Sequence, residues 1–385
     1  MPNPTSPTRA VLLARTISTA VLSTGFALTG AGTVLLGMLL PVFSQKWGLS
    51  DDAAGFLLFL QFAGASLGAV SCGLNRIRSI ALGYGLLVAS SLDLAFAHSR
   101  APFTAFFLFG LGLGMAMTST NLLISDRARD ERAAKLEWLN FAWSLGATTC
   151  PLLLLPLVRR SDTHQVYVLL LVAFFLLLAW VAAAERQEKP VIATAASNSQ
   201  RRPIDQVFLL LLICALCTVG VESALTGWLT TYSHRTGMRS LAGSALATAV
   251  FWLGEMVSRL AFSTPLLKKI GRQTVLKWGI CGATASAIFL IAAPHPSIII
   301  ASAGIAGIFT GPLYPILLSY LLERSARGWL FAVAGLGAAF FPWMTGLVSA
   351  HLNSLRLGLL VPCFGYAVML AFGALIFRPA QTGAR

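Results

Sequence analysis

Apolar positions run in long blocks along this chain, and polar positions gather in short clusters between them. Blocks of about 20 apolar residues match the length at which a helix crosses a bilayer. Twelve spans are expected, at roughly 16–44, 53–74, 79–98, 102–125, 133–157, 165–184, 206–233, 241–263, 274–293, 296–322, 328–350 and 356–377. The strict alternation that marks a membrane β-barrel is missing. Leu145-Gly146-Ala147 followed by Pro151 returns as Leu336-Gly337-Ala338 followed by Pro342, 191 positions on. Lys46-Trp47-Gly48-Leu49 likewise has a counterpart in Arg235-Thr236-Gly237-Met238, shifted by 189. Both shifts are close to half of the 385 residues, so two related six-helix units are expected, 1–184 and 206–385, joined by a polar linker, 185–205.

Composition strengthens the membrane reading. Hydrophobic residues make up 56 % and charged residues 11 %, against about 25 % charged in soluble domains. Water cannot coat such a chain, and an all-α, multi-pass membrane protein follows. Met1 to Arg15 is polar and proline-bearing, and the run after it is long and lacks a persuasive cleavage site. An anchored first helix is expected there rather than a removed signal peptide.

The net charge of +14 invites a nucleic-acid reading, but the charges alternate from loop to loop. The two ends and every second loop hold 20 Lys and Arg, the opposite loops hold 7, and Arg259 belongs to neither set. This asymmetry predicts that both termini and the linker are cytoplasmic. It assigns the charge to topology and contact with anionic lipid, with no nucleic-acid partner. The linker, with Pro190 and Arg201-Arg202, has nothing from which to build a core. The six cysteines lie in or beside apolar spans, so no disulfide framework follows, and Cys214 and Cys217 read as packing residues inside a helix.

Enzyme motifs fare poorly. Gly64-Ala65-Ser66-Leu67-Gly68 matches G-x-S-x-G, yet that motif needs a strand-turn-helix to expose its serine. Inside an apolar helix the glycines instead make a small-residue face for close packing. There is no H-E-x-x-H, no phosphate loop and no histidine cluster. No enzyme, no metal, no resident cofactor and no self-contained ATP-driven pump is expected.

Ionisable groups within spans are costly and point to function. Glu255 has Arg259 one turn on, the spacing of a structural or gating ion pair. Glu222 has no basic residue three or four positions away and is flanked by Thr218 and Thr226. Such a carboxylate takes up a proton, or holds a cation or a hydroxyl-rich ligand. In the first half Gln61, Thr118, Asn121, Glu137, Asn140 and Ser144 offer amides, hydroxyls and one acid, and Trp143, Trp228 and Tyr232 offer flat surfaces for sugar rings. Asp93, near a span end, reads as interfacial.

Val219-Gly220-Val221-Glu222, followed by Gly227-Trp228-Leu229-Thr230-Thr231-Tyr232, resembles the seventh-helix signature of sugar-type permeases of the major facilitator superfamily, the branch of fucose permease and the sodium-dependent glucose transporter-like proteins. Gly110-x-Gly112-x-Gly114 through Thr118 and Asn121 is similar to that branch's fourth helix, and Gly311-Pro312-Leu313-Tyr314-Pro315 and the Leu336 to Pro342 segment to its tenth and eleventh. The resemblance implies a twelve-helix fold working by alternating access on a small-molecule solute, most simply as a monomer, with proton or sodium as the coupling cation. It brings Tyr314 into the solute site. The basic loop of the superfamily survives as Lys268-Lys269-Ile270-Gly271-Arg272, a coupling or gating candidate, while its first copy, Gly73-Leu74-Asn75-Arg76-Ile77-Arg78, has lost its acid. The first helix carries no acid, and Met117 stands where the fourth-helix acid would be, which argues against proton symport by that arrangement. Two rivals share these features: an exporter of amphipathic compounds, and a non-transporting sensor that kept the fold.

Overall fold

The computed structural model describes residues 18–73, 75–96, 102–127, 132–154, 163–185, 205–238, 240–262, 269–322, 324 and 329–376. Lys268, the 186–204 part of the linker and both chain ends lie outside the described residues, as does the side chain of Glu137. The first half forms α1 (Thr19–Trp47), α2 (Asp51–Val70), α3 (Arg76–Phe96), α4 (Pro102–Arg127), α5 (Arg132–Leu154) and α6 (His164–Glu185). The second forms α7 (Gln206–Arg235), α8 (Leu241–Phe262), α9 (Arg272–Ala292), α10 (Pro296–Thr310), α11 (Leu313–Leu322), α12 (Trp329–Leu352), α13 (Leu355–Gly358) and α14 (Leu360–Ile376). Two spans are each broken into a pair, α10 with α11 and α13 with α14, so twelve spans result. Among the described residues, eleven are long and apolar enough to cross a membrane. The twelfth is α5, which carries Glu137, Asn140, Ser144, Thr148 and Thr149 along its length.

Local chemistry sets the ends. Ser18 caps α1 by accepting from the Val21 N–H at 3.3 Å, and Gly48 closes it in the left-handed region at φ 61°. The first span therefore ends at Trp47, three residues later than the hydropathy pattern placed it. Asp205 caps α7, accepting from the Phe208 N–H at 2.7 Å and pairing with Arg324 at 2.6 Å. The Phe208 N–H and then the Arg324 guanidinium hold its carboxyl below the usual range. Both breaks trace to proline. Pro312 and Pro315 withhold N–H groups from the tenth span, and Pro362 withholds the donor that the Gly358 carbonyl would need.

The sequence echo has a packing cause. On α5 a β-carbon at Gly146 would run into the Ala27 carbonyl of α1, and on α12 one at Gly337 would run into the Leu216 carbonyl of α7. Each half thus uses the same glycine to seat its fifth span on its first. Gly64 and Gly68 likewise sit against the Phe107 and Leu111 carbonyls of α4. The G-x-S-x-G segment is a helix-packing face, as expected.

Between the halves, α2 lies along α12, α5 along α8 and α1 along α7. Trp278, Phe289, Leu153 and Phe364 are more than two-thirds exposed on the outer surface, where apolar side chains face lipid tails rather than water. The end of the bundle at Glu185 and Asp205 is called the linker end, and the opposite one the far end.

Candidate functional site

Glu255 and Arg259 share a face of α8 and form a buried ion pair. The guanidinium reaches further. Its Nη1 donates to Ser144 Oγ on α5 at 2.8 Å, and its Nε donates to the Gly311 carbonyl at 3.3 Å. That carbonyl is free because its helical partner four residues on would be Pro315, which has no N–H. Nη2 lies 3.9 Å from Glu222 Oε2 on α7. The expectation that Glu222 lacks a cation is corrected here. Its own helix offers none, but α7 packs beside α8, and Arg259 arrives from there.

The arrangement places two buried carboxylates around one guanidinium, which also grips a hydroxyl of the opposite half. Aromatic rings wall it. Arg259 stands 5.9 Å from the centroid of Trp143, whose ring meets Trp252 edge-on at 5.1 Å. Both indole N–H groups are buried without a hydrogen-bond acceptor among the described residues. Tyr314, at the start of α11, is half-buried three residues after Gly311, whose carbonyl receives Arg259. Thr226 donates to the Glu222 carbonyl at 2.8 Å, one turn along α7. Asn140 lies half-buried one turn before Ser144 on α5.

Other expected site residues are held elsewhere. Trp228 is fully buried and donates to the Pro342 carbonyl at 2.9 Å, which ties α7 to α12. Tyr232 donates to the Ile291 carbonyl at 3.0 Å. Gln61 donates to the Thr33 carbonyl at 2.9 Å, and its Oε1 has no donor among the described residues. Asn121 bonds back to the Met117 carbonyl at 3.1 Å, and Thr118 is buried on α4. Lys269 is exposed at the linker end, and Arg272 donates to Ser319 at 3.2 Å while stacking 4.6 Å over Tyr320. That loop therefore braces α9 on α11 within one half. Asp93 is exposed near the far end of α3.

A sequence model of the Major Facilitator Superfamily matches residues 22–327. The chain belongs to that superfamily. This member is a transporter by family, and its fold agrees with solved structures at low sequence identity. FucP in an outward conformation shares 16 % identity over 94 % of this chain and 99 % of its own, with a TM-score of 0.65. A second structure, of the E. coli fucose:proton symporter FucP, gives the same identity and TM-score over 94 % and 98 %. The human organic anion transporter MFSD10 gives 16 % identity over 93 % and 98 %, with a TM-score of 0.69. No curated protein matches the sequence.

Within this superfamily member the far end is tied shut. Arg235 at the end of α7 donates to both carboxylate oxygens of Asp51 at the start of α2, at 2.8 and 2.6 Å. Ser349 of α12 donates to the same carboxylate at 2.6 Å. Below this latch the halves touch through glycines, Gly55 against Gly346 and Gly37 against Gly227. The sequence reading uses Arg235 for the echo and the loop charge balance, not as a tie between the halves, and does not single out Trp252. Trp252, Glu255 and Arg259 fall on one helical face, which was the available signal.

Proposed function

We propose that this transporter moves a small, hydroxyl-rich solute of the sugar type across the cytoplasmic membrane by alternating access, coupled to a proton taken up by the Glu222–Arg259–Glu255 cluster. The carrying observation is the charge imbalance: two buried carboxylates share one guanidinium that also bonds Ser144 in the other half. With both acids ionised the cluster holds an unpaired negative charge, and burying one is costly. A proton on Glu222 removes the excess and leaves the Glu255–Arg259 pair neutral. The protonated carboxyl, the Ser144 hydroxyl and the two unpaired indole N–H groups then offer the donors and acceptors that hydroxyl groups require. Loss of the Arg259–Ser144 bond as solute enters would free the halves to rock. Topology follows the charge asymmetry, with the linker end and both termini in the cytoplasm.

Glu222→Gln keeps shape and hydrogen bonding but deletes the charge. In proteoliposomes loaded with candidate sugars it should still exchange solute across the membrane while losing accumulation driven by a pH gradient. Wild-type accumulation in this variant would remove the proton role. The exporter reading predicts instead that amphipathic compounds, not sugars, raise the melting temperature of the purified protein, since a ligand of the folded state stabilises it.

A further inference from the structure

We propose that the groove between α3 and α6 at the linker end is a binding site for one anionic phospholipid, its phosphate on Arg78 and an acyl chain along the groove floor. Arg78, Ala81, Leu82, Gly85 and Leu86 form one stripe of α3, and Leu178 of α6 makes the facing wall of a groove of about 410 Å³. Positions 78, 81, 82, 85 and 86 follow helical spacing, and from Arg78 to Leu86 the stripe runs about 12 Å along the axis. Depth comes from Gly85. A β-carbon there would meet no atom within 4 Å, so the space beside it is open to a chain from the bilayer. The walls are apolar and the single charge sits at the mouth, which matches the layout of a phospholipid in one leaflet.

The charge at the mouth is unspoken for. Arg76, two residues away, is engaged by the Gly73 carbonyl at 2.8 Å and by Asp126 at 4.0 Å. The Arg78 side chain is exposed, and among the described residues its guanidinium has no hydrogen bond or ion pair. A guanidinium at headgroup depth, held by a rigid helix above an apolar trough, complements a phosphate carrying net negative charge. A zwitterionic headgroup brings its own cation to the same place and gains less.

The test uses the full-length purified protein with phosphatidylglycerol and phosphatidylcholine of identical acyl chains, and native mass spectrometry to count retained lipid. The wild type should retain phosphatidylglycerol preferentially. Arg78→Gln should lower that preference about fivefold, the contribution of one basic residue at an anionic surface. Gly85→Leu and Ala81→Leu fill the trough and should reduce retention of both lipids. Lys277→Gln, an exposed lysine on α9 at the same end, should leave the ratio unchanged. An unaltered ratio in Arg78→Gln overturns the proposal, as does an equal fall in Lys277→Gln. So does a trough variant that displaces a second copy of the chain rather than lipid.

Discussion

Arg259 gathers contacts from Glu255, Glu222, Ser144 and the Gly311 carbonyl, and these surroundings decide which substitution hurts most. Removing one member of a buried ion pair typically costs about 3–5 kcal/mol, because the other is left uncompensated. Arg259→Gln leaves two carboxylates without a cation and should show that loss in full, as a drop in thermal stability and folded yield. Glu255→Gln should be milder, since Glu222 remains 3.9 Å from the guanidinium. Combining Glu255→Gln with Arg259→Gln should recover part of the single arginine loss, and simple additivity would show that the two side chains are not coupled. The pair on α8 was legible from its spacing. The approach of Arg259 to Glu222 was not, because it depends on how α7 and α8 lie side by side, and no pattern along either helix encodes that. Ser144 was legible as a polar position but not as the acceptor that carries the guanidinium's contact across to the other half.

At the scale of elements, the repeated Leu-Gly-Ala segments were readable as an echo, and the structure gives the echo its cause. Gly146 and Gly337 each let a fifth span sit on backbone, which cannot move aside as a side chain can. Gly146→Leu and Gly337→Leu should each destabilise, at least by the about 1–3 kcal/mol usual for overpacking, whereas Gly85→Leu should not. A fluorescence-detected size-exclusion melt of the three variants checks this, and equal melting temperatures would contradict the packing account. The helix breaks were less legible. Proline marked the tenth span, but only the structure connects Pro315 to the carbonyl that receives Arg259. Pro315→Ala supplies a competing N–H and should weaken the hold on Arg259, read as a lower Glu222-dependent accumulation with little change in folded yield. Asp205 adds a pH dependence. Its folded carboxyl is more acidic than its unfolded one, so the cap and its Arg324 pair contribute fully at neutral pH. That contribution is lost as the pH falls through the acid range.

For the whole molecule, the Asp51–Arg235–Ser349 contact joins the two halves at one end only, and so biases which side is sealed. Asp51 is largely buried and the contact is bidentate, so a contribution near the upper end of the 0.2–1 kcal/mol range for partly exposed pairs is expected. Arg235→Gln should then raise the population open at the far end about fivefold. Labelling of a Leu58→Cys probe by an impermeant thiol reagent, in a background without the native cysteines, measures that rise, and an unchanged rate would show that the latch does not hold the halves. Twelve spans and two halves were legible because lipid imposes a simple rule on every span. The latch was not, since its partners are 184 residues apart and belong to different halves. Reciprocity makes the same latch a remote titration control. If the cluster takes its proton more readily when it faces the far side, any substitution that favours that side must raise the apparent proton affinity, by at most the factor by which it shifts the two populations. The half-maximal pH of transport would then move upward in Arg235→Gln, although Arg235 itself never handles the proton.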